Sequence, residues 1–276
     1  MIEIPEAVTI TRQINETLTG KKITKVIANS SPHKFAWFYE DPKDYPKRLM
    51  GKTIEKANVY GSFVEVKLGI TKLLLGDGVN FKYIKAGEKL PKKHQLLLEF
   101  DDNTVLTAGV QMYGGLWCYE DGEFDNQYLE IARQKPSPLS DKFDYEYFTA
   151  LISDEALQKK SIKAVLATEQ RIPGFGNGVL QDILFNAKIH PKRKFVSLDE
   201  KEIKILYNSI KTTLHDMTMK NGRDTEKDLF GNLGNYKTKL SKKTVKEPCK
   251  LCGGKIIKKA YLGGSIYYCE QCQKEH

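Results

Sequence analysis

The chain has 276 residues, which suits two domains and a small appendage. It carries 44 Lys and Arg against 35 Asp and Glu, a formal net charge of +9, and it contains no run of 18 apolar residues, so the sequence predicts neither a membrane-spanning helix nor a membrane partner. The basic balance instead favours an anionic partner such as nucleic acid.

The basic residues are clustered rather than spread evenly along the chain. Clustering matters because it creates a surface on which phosphates can displace counterions. A solvated lysine face would explain any single cluster, and an anionic membrane is the weaker alternative because no amphipathic surface helix accompanies the clusters. The clusters are 92–94, 159–163, 188–194 and 237–250.

A helix is predicted almost at the N-terminus. Pro5 suits the first turn of a helix, and Glu6 places a carboxylate near the positive end of the helix dipole. We expect this helix to end at Gly20. An apolar residue recurs every four positions and forms the buried stripe, namely Ile10, Ile14 and Leu18.

From residue 22 to about residue 119 the pattern changes to that of strands. Apolar and polar side chains alternate, and turn-forming residues such as those at 101–103 separate the runs. We therefore expect residues 1–132 to form a β-sandwich that carries one N-terminal helix. The predicted strands are 62–68, 95–100, 104–107 and 116–119.

The segment 134–140, Gln-Lys-Pro-Ser-Pro-Leu-Ser, has the composition of a linker, and after it the hydrophobic period becomes helical. We expect an all-helical domain over 141–236, whose last helix opens with a capping box formed by Ser197 and Glu200. The predicted helices are 144–152, 159–168, 178–187 and 198–219.

Two polar segments of this domain are candidate binding sites. The segment 173–177, Pro-Gly-Phe-Gly-Asn, ends at a helix start, where exposed backbone amides bind anions, although a plain turn would look the same. After the long helix, Arg223 and Asp224 lie in a polar loop, where they would either read a base edge or form a surface ion pair.

Four cysteines near the C-terminus give the most specific signal. Cys249 and Cys252 form one Cys-x2-Cys pair, and Cys269 and Cys272 form another after a spacer of 16 residues. This spacing presents four thiolates to one structural zinc ion. The spacer predicts two short strands, 255–260 and 265–268, joined by a turn at 262–264. We therefore expect residues 245–276 to be a four-cysteine zinc finger built on a β-hairpin.

Two disulfide bonds and a catalytic zinc are the alternatives to a structural zinc site. Two disulfide bonds are less favoured because no signal peptide precedes the chain, because the fifth cysteine, Cys118, is an odd one, and because the chain is long enough to build its own cores. A catalytic zinc is disfavoured because four thiolates leave no open coordination position.

Together these features resemble the bacterial formamidopyrimidine-DNA glycosylase and endonuclease VIII family of base-excision repair enzymes. The resemblance covers the whole chain. It is carried by the start Glu3-x-Pro5-Glu6, similar to the family's Pro-Glu-Leu-Pro-Glu, by the β-sandwich, by a helix-two-turns-helix segment around 174–177, and by the zinc hairpin. It implies a two-lobed, cytoplasmic and nucleoid-associated protein that bends damaged double-stranded DNA in a cleft and flips out the base. We expect a monomer.

The resemblance also assigns DNA contacts. Phosphate contacts would come from Lys163, from Asn177 with the amides at its helix start, and from the zinc hairpin. His94 falls at a DNA-contacting position, Tyr113 approximately keeps the family's aromatic wedge, and Arg223 lies in the loop that closes over the flipped base. The structural alternatives are that Asn177 only caps its helix and that Lys163 is only solvated.

Five of the family's usual site positions differ in this chain. Ile2 stands where the family has a proline whose amine, exposed after Met removal, forms a Schiff base and then cuts the strand by elimination. A bulky Ile would normally leave Met1 attached, so AP-lyase activity is not expected to be efficient. The other changed positions are Ser62 for the hairpin lysine, Gly264 for the phosphate-gripping arginine, and Asp77 and Gln111 for the void-filling Met and Arg.

Two carboxylates are retained, Glu3 and Glu6. A carboxylate near C1′ activates water or protonates the leaving base, so hydrolytic base release is expected without lyase chemistry. Glu6 also has a structural explanation as a helix-start carboxylate, whereas Glu3 lies outside that first turn and is the better catalytic candidate. The prediction is therefore a DNA N-glycosylase. The alternative is a catalytically silent lesion- or structure-specific DNA-binding protein, and RNA binding is disfavoured only by the resemblance.

Overall fold

The computed structural model describes residues 2–275, apart from the side chain of Asp77. Eight α-helices and nine β-strands follow along this part of the chain. The helices are α1 (Ile4–Thr17), α2 (Tyr45–Leu49), α3 (Gln127–Gln134), α4 (Tyr145–Ile152), α5 (Glu155–Gln158), α6 (Ile162–Ala167), α7 (Asn177–Asn186) and α8 (Glu200–Met219). The strands are β1 (Ile23–Ala28), β2 (Ala36–Phe38), β3 (Lys56–Tyr60), β4 (Phe63–Leu68), β5 (Thr71–Ile84), β6 (Leu96–Phe100), β7 (Val105–Glu120), β8 (Ile256–Tyr261) and β9 (Gly264–Cys269).

The predicted N-terminal helix is α1. It begins directly after Glu3, carries Pro5 in its first turn and ends at Thr17, three residues before the predicted Gly20. Its predicted stripe is almost fully buried and joins the main core of the N-terminal domain, where α1 packs against β3 and β4. Burial of such a stripe, rather than helix propensity, supplies most of the stability of a helix in a protein.

The N-terminal strands form one seven-stranded sheet in the order β1-β6-β7-β5-β4-β3, and β2 pairs in parallel with β7. Both faces are covered, as expected for the predicted β-sandwich. On β5, Leu73 and Leu75 face the core beneath α1, whereas Leu74 faces a smaller core that includes Trp117 and residues of α3. The predicted strands 104–107 and 116–119 are the two ends of one long strand, β7, because the residues between them continue in that strand.

The segment after the sheet is helical, as predicted, and its buried side chains form a second core. The capping box predicted for α8 at Ser197 and Glu200 was wrong by two residues. Asp199 caps the helix, its Oδ1 accepting the backbone N–H of Glu202 at 2.8 Å, while Glu202 accepts the N–H of Asp199. Among the described residues, no helix is long and apolar enough to cross a membrane.

The C-terminal strands β8 and β9 form a separate antiparallel hairpin. Its turn is the pair Leu262 and Gly263, with φ of 46° and 71°, which is the left-handed geometry that tight hairpin turns require. The hairpin packs on the helical domain through α7 and β9. Gln273 fixes it there, donating its side-chain amide to the carbonyl of Ile189 at 2.9 Å.

Candidate active site

A cleft of about 750 Å³ opens where the sheet domain, the helical domain and the hairpin meet. Its walls come from segments that are far apart in the chain. Ile2, Glu3 and Ser62 contribute from the N-terminal domain, the loop before α7 contributes from the helical domain, and Gly264 contributes from the hairpin tip. The fold therefore brings together most of the positions that the resemblance singled out.

The two domains touch at a contact that only glycine permits. Gly61, in the turn between β3 and β4, has φ of +59°, and Gly174 has φ of +75°. A Cβ atom on Gly174 would lie 2.4 Å from the carbonyl carbon of Gly61, and one on Gly61 would lie 2.8 Å from that of Pro173. The backbone N–H of Ile4 also donates to the carbonyl of Gly174 at 3.1 Å. This contact fixes the N-terminus against the loop before α7.

The carboxylate of Glu3 is bound by the N-terminus of α7. Its two oxygens accept the backbone N–H groups of Gly178 at 2.8 Å and Val179 at 2.7 Å, and the residue is only 6% exposed. The sequence predicts that the amides at this helix start hold a phosphate. That prediction needs correction for these two amides, because the anion they bind is Glu3 itself, an arrangement that the helix dipole also favours.

Two glycines make room for this arrangement. A Cβ atom on Gly176 would lie 2.4 Å from Oε1 of Glu3, and a Cβ atom on Gly178 would lie 1.6 Å from Nη1 of Arg223. The Gly-Phe-Gly-Asn-Gly sequence at 174–178 therefore serves close approach of the carboxylate and the guanidinium, in addition to the turn that the sequence indicated.

Arg223 joins the two carboxylates of the N-terminal segment in a buried ion-pair network. Its Nη2 lies 2.7 Å from Oε2 of Glu6, its Nε and backbone N–H both donate to Oε1 of Glu6, and its Nη1 lies 3.4 Å from Oε2 of Glu3. The side chain is 2% exposed. Arg223 thus forms neither the surface ion pair nor the freely exposed base-reading group that the sequence suggested.

The environment pushes the pKa values of the two carboxyl groups apart. Burial raises the pKa of Glu3 above its ordinary value, and the charge of Arg223 only partly opposes this. Burial acts in the same direction on Glu6, but the charge and hydrogen bonds of Arg223 outweigh it and lower the pKa of Glu6. A pair of carboxyl groups separated in this way is suited to acid and base roles. Of the two, Glu3 is the one among the described residues that line the cleft.

Lys163 and Asn177 meet at the hairpin tip. Nζ of Lys163 donates to the carbonyl of Tyr261 at 2.6 Å, and Nδ2 of Asn177 donates to the carbonyl of Ser265 at 2.6 Å. A Cβ atom on Gly264 would lie 3.3 Å from Nδ2 of Asn177 and 3.5 Å from Nζ of Lys163. Lys163 is buried, which lowers its pKa, so neither the solvated lysine nor the simple helix cap describes these residues.

The remaining predicted DNA contacts lie on the sheet domain. Tyr113 lines the cleft. His94 is half-buried in the loop before β6, with Nδ1 3.3 Å from the carbonyl of Pro91, and is not among the described cleft residues. Of the two void-filling positions predicted from the resemblance, Gln111 is exposed on β7. The side chain of the other, Asp77, lies outside the described residues.

The four cysteines form one cluster. Their Sγ atoms all lie within 4.8 Å of one another, with 3.8 Å between Cys249 and Cys272 and 3.4 Å between Cys252 and Cys269. None is disulfide-bonded, so the disulfide alternative is not supported. Four thiolates about 2.3 Å from a tetrahedral zinc ion would be about 3.8 Å apart. The cluster is therefore of a size that could bind a metal.

Gln181 is a residue that the sequence analysis missed. Its Nε2 donates to the carbonyl of Ser265 at 3.1 Å, and its Oε1 accepts the backbone N–H of Tyr267 at 2.9 Å, so it couples α7 to β9. The available signal was its position one helical turn after Asn177, which places both side chains on the same face of α7.

The chain thus belongs to a class of proteins in which a sheet domain and a helical domain enclose a cleft with buried carboxylates and a four-cysteine hairpin is appended. Residues 1–108 match the family model described as the formamidopyrimidine-DNA glycosylase N-terminal domain, and residues 135–228 match the formamidopyrimidine-DNA glycosylase H2TH domain. The chain belongs to the formamidopyrimidine-DNA glycosylase family, which confirms the predicted resemblance.

Curated relatives and solved structures cover the whole chain. The formamidopyrimidine-DNA glycosylase of Geobacillus kaustophilus is 30% identical, covering 99% of this chain and 100% of its own length, and that of Bacillus cereus (strain ATCC 10987 / NRS 248) is 30% identical over 99% of each. Among solved structures, the Lactococcus lactis Fpg in complex with DNA containing an abasic site has a TM-score of 0.82 at 24% identity, with 99% of both chains covered. The MutM (Fpg) protein of Thermus thermophilus has a TM-score of 0.80 at 20% identity, also covering 99% of both. These two structures confirm the fold.

Proposed function

We propose that this protein is a DNA N-glycosylase of base-excision repair, which binds duplex DNA carrying a damaged or modified base, flips the base and hydrolyses its N-glycosidic bond. The observation that carries this proposal is the cleft between the domains, where the buried carboxyl of Glu3 has a raised pKa. Its relatives are formamidopyrimidine-DNA glycosylases, and a structural neighbour binds DNA with an abasic site. The relatives are bacterial, so we place its action at the bacterial nucleoid, as a monomer.

In the proposed reaction Glu3 is the general acid. Burial raises the pKa of Glu3, which favours the protonated form of its carboxyl, and that proton is transferred to the departing base as the bond to C1′ breaks. Water supplies the hydroxyl that binds C1′ and returns a proton to Glu3. The carboxylate formed in between is stabilised by the amides of Gly178 and Val179 and by Arg223.

The proposal places Glu6 behind the reaction centre. Glu6 holds Arg223 through its two carboxylate oxygens, and Arg223 in turn faces Glu3. We therefore assign Glu6 and Arg223 as positioning residues rather than as groups that touch the substrate. This changes the catalytic role that the sequence suggested for Glu6 and the base-reading role that it suggested for Arg223.

AP-lyase chemistry is not part of the proposal. Elimination by this route needs an amine that attacks C1′, and the described residues that line the cleft include no lysine. Ile2 is only 7% exposed, Ser62 has no amine, and Met1 lies outside the described residues. We expect base release without efficient strand cleavage.

Phosphate contacts are proposed at the junction of α6, α7 and the hairpin. The ammonium group of Lys163 has three N–H donors, of which one binds Tyr261, and the amide nitrogen of Asn177 has two, of which one binds Ser265. Both nitrogens lie beside Gly264, since a Cβ atom there would be 3.3 Å from Nδ2 of Asn177 and 3.5 Å from Nζ of Lys163. We propose that a phosphate binds there to Lys163 and Asn177. These two residues would replace the arginine that the family has at the position of Gly264. Tyr113 and His94 remain proposed contacts of the sheet domain.

We propose that the cysteine cluster holds one structural Zn²⁺. Cys249, Cys252, Cys269 and Cys272 would be its ligands, and a closed four-thiolate shell stabilises folding without taking part in chemistry. Bound zinc would fix the open end of the hairpin, and hence the position of Gly264 at the cleft. Elemental analysis should find about one zinc per chain.

A catalytically silent DNA-binding protein is the second candidate. It is favoured by one observation, that both oxygens of Glu3 are already used by the helix-start amides, which is also what a purely structural carboxylate would do. The two candidates differ in one measurable property, the release of a base.

The test uses the zinc-loaded protein and duplex oligonucleotides carrying oxidised, ring-opened or alkylated bases or an abasic site. Base release is scored after hot alkali and strand cleavage without it. Wild-type protein should release a base and cleave poorly, and Glu3→Gln should reduce release by about 10²–10⁴-fold while keeping DNA affinity. Unchanged release by E3Q would refute the role of Glu3, and tight binding without any release by wild-type protein would favour the silent candidate.

A further inference from the structure

The sheet domain exposes four large side chains on two adjoining segments, Phe35 and Trp37 at β2 and Met112 and Tyr113 on β7, which we call the aromatic ridge. Phe35 is 46% exposed, Trp37 43% and Met112 67%, and Tyr113 is partly exposed. Isolated exposed apolar residues are normal, but a contiguous group beside a cleft marks an interaction site. Of these four side chains, Tyr113 is the one among the described residues that line the cleft.

The fold builds this ridge through a bulge in β7. Val110 pairs with Val79 and Gly114 pairs with the backbone of residue 77, so three residues of β7, 111–113, lie opposite the single residue Gly78 of β5. A Cβ atom on Gly78 would lie 2.2 Å from the carbonyl oxygen of Tyr113, so the bulge requires glycine there. A bulge of this kind redirects side chains out of the sheet. It exposes Met112 within a strand that is otherwise mostly buried.

The short strand β2 completes the ridge. Ala36 pairs with Gly114 directly after the bulge, and the N–H of Gly114 donates to the carbonyl of Phe35 at 2.9 Å. This pairing brings Trp37 beside Tyr113, with the ring centroids 6.0 Å apart and the planes inclined by 35°. Since Tyr113 also lines the cleft, the ridge is continuous with the proposed DNA site.

Lys34 and His33 border the ridge beside Phe35. Nζ of Lys34 lies 5.3 Å from the ring centroid of Phe35, and the rings of His33 and Phe35 are 6.3 Å apart. An apolar, π-rich surface with the cationic Lys34 beside it matches a nucleic acid whose bases are exposed, because aromatic rings stack on the bases and a cation binds an adjacent phosphate. It matches an apolar protein partner less well.

We infer that Trp37 is a second stacking surface, beside Tyr113, for a base of the bound DNA that has lost its stacking neighbour or its pairing partner. Base flipping leaves such bases next to the vacated position. This inference rests on the proposed function, because it requires duplex DNA in the cleft.

The test compares wild-type protein with Trp37→Ala and Trp37→Phe in binding two duplexes, one intact and one with an abasic-site analogue, and also measures base release. A stacked aromatic ring predicts that W37A weakens binding of the abasic duplex by about 5- to 150-fold. Binding of the intact duplex should change by less than about threefold, and W37F should retain most of the affinity. Ile205→Ala is the control, because Ile205 is 49% exposed on α8, outside the ridge.

The possible results distinguish failure of the Trp37 stacking role from failure of the proposed glycosylase function. If wild-type protein releases bases and prefers the abasic duplex while W37A shows the same preference, the stacking role is refuted and the glycosylase proposal stands. If W37A changes sedimentation behaviour but not DNA binding, the ridge is a contact between copies of the chain, which also overturns the inference. If wild-type protein shows no preference for the abasic duplex, the inference and the DNA-site proposal fail together. Near-UV circular dichroism from the buried Trp117 checks that the variants fold.

Discussion

Replacing Arg223 with methionine should produce a large, pH-dependent loss of stability. The substitution keeps an unbranched side chain but removes the charge that is paired with both Glu6 and Glu3. All three groups are buried, so the variant leaves two carboxyl groups without their cation. Removal of one partner from a buried ion pair typically costs about 3–5 kcal/mol. We expect a loss of this size at pH 7.5, reduced by the two backbone N–H groups, of Glu3 and Arg223, that still bind Glu6.

The pH dependence follows from the directions of the pKa shifts. In wild-type protein the pKa of Glu6 is lowered from 4.5, so its stabilising contribution is present above that pH and is lost as the pH falls through the folded-state value. Without Arg223 only burial and the backbone N–H groups remain, and burial raises the pKa. A carboxyl whose pKa is raised in the folded state destabilises that state least when the pH is below the pKa of the unfolded state. Its destabilising effect grows as the pH rises above that pKa. The deficit of the variant should therefore shrink from pH 7.5 to pH 5, by at most about 1.4 kcal/mol per pH unit for each carboxyl.

The measurement is urea denaturation at pH 5 and pH 7.5 in zinc-containing buffer, followed by tryptophan fluorescence. The control is the double variant Glu6→Gln with Arg223→Met, which removes the uncompensated charge and should recover part of the loss. A deficit below about 1 kcal/mol, or one that is equal at both pH values, would show that the buried network does not stabilise the fold in the way described here.

Two further substitutions test the helix start and the cysteine cluster. Gly176→Ala should lower both thermal stability and base release, because its Cβ would lie 2.4 Å from the Glu3 carboxylate and weaken the packing of Glu3 on α7. Gly109→Ala is the control and should lower the denaturation temperature less, because the heavy atom nearest to its Cβ would be 3.7 Å away. Cys252→Ser should lower the zinc content measured by elemental analysis and weaken DNA binding. Cys118→Ala is the control and should leave zinc at about one per chain, because Cys118 lies in the sheet core. An unchanged zinc content in C252S would contradict the ligand assignment.

Short-range patterns in the sequence predict the first helix of this protein and its cysteine cluster. The four-residue spacing of Ile10, Ile14 and Leu18 predicts α1, and the two Cys-x2-Cys pairs predict the clustered thiols of the hairpin. Such features depend on residues a few positions apart, whose relative placement follows from helix and turn geometry. The family resemblance likewise depends on the order of motifs and was confirmed. The domain bounds and the roles of the site residues remain predictions.

The tertiary structure alone decided which partners the charged and polar groups of the site bind. Arg223 is more than two hundred residues from Glu6, and no local pattern shows that its guanidinium is buried against that carboxylate instead of facing DNA. The amides of α7 looked like a phosphate site from their sequence, yet the anion that reaches them is Glu3, carried there by the contact between Gly61 and Gly174. The aromatic ridge depends on a bulge opposite Gly78 and on the parallel pairing of β2. Long-range contacts of this kind are set by how the sheet, the helices and the hairpin pack against one another. Whether a charge is buried or a ring exposed is a property of the assembled fold and not of the segment that carries it.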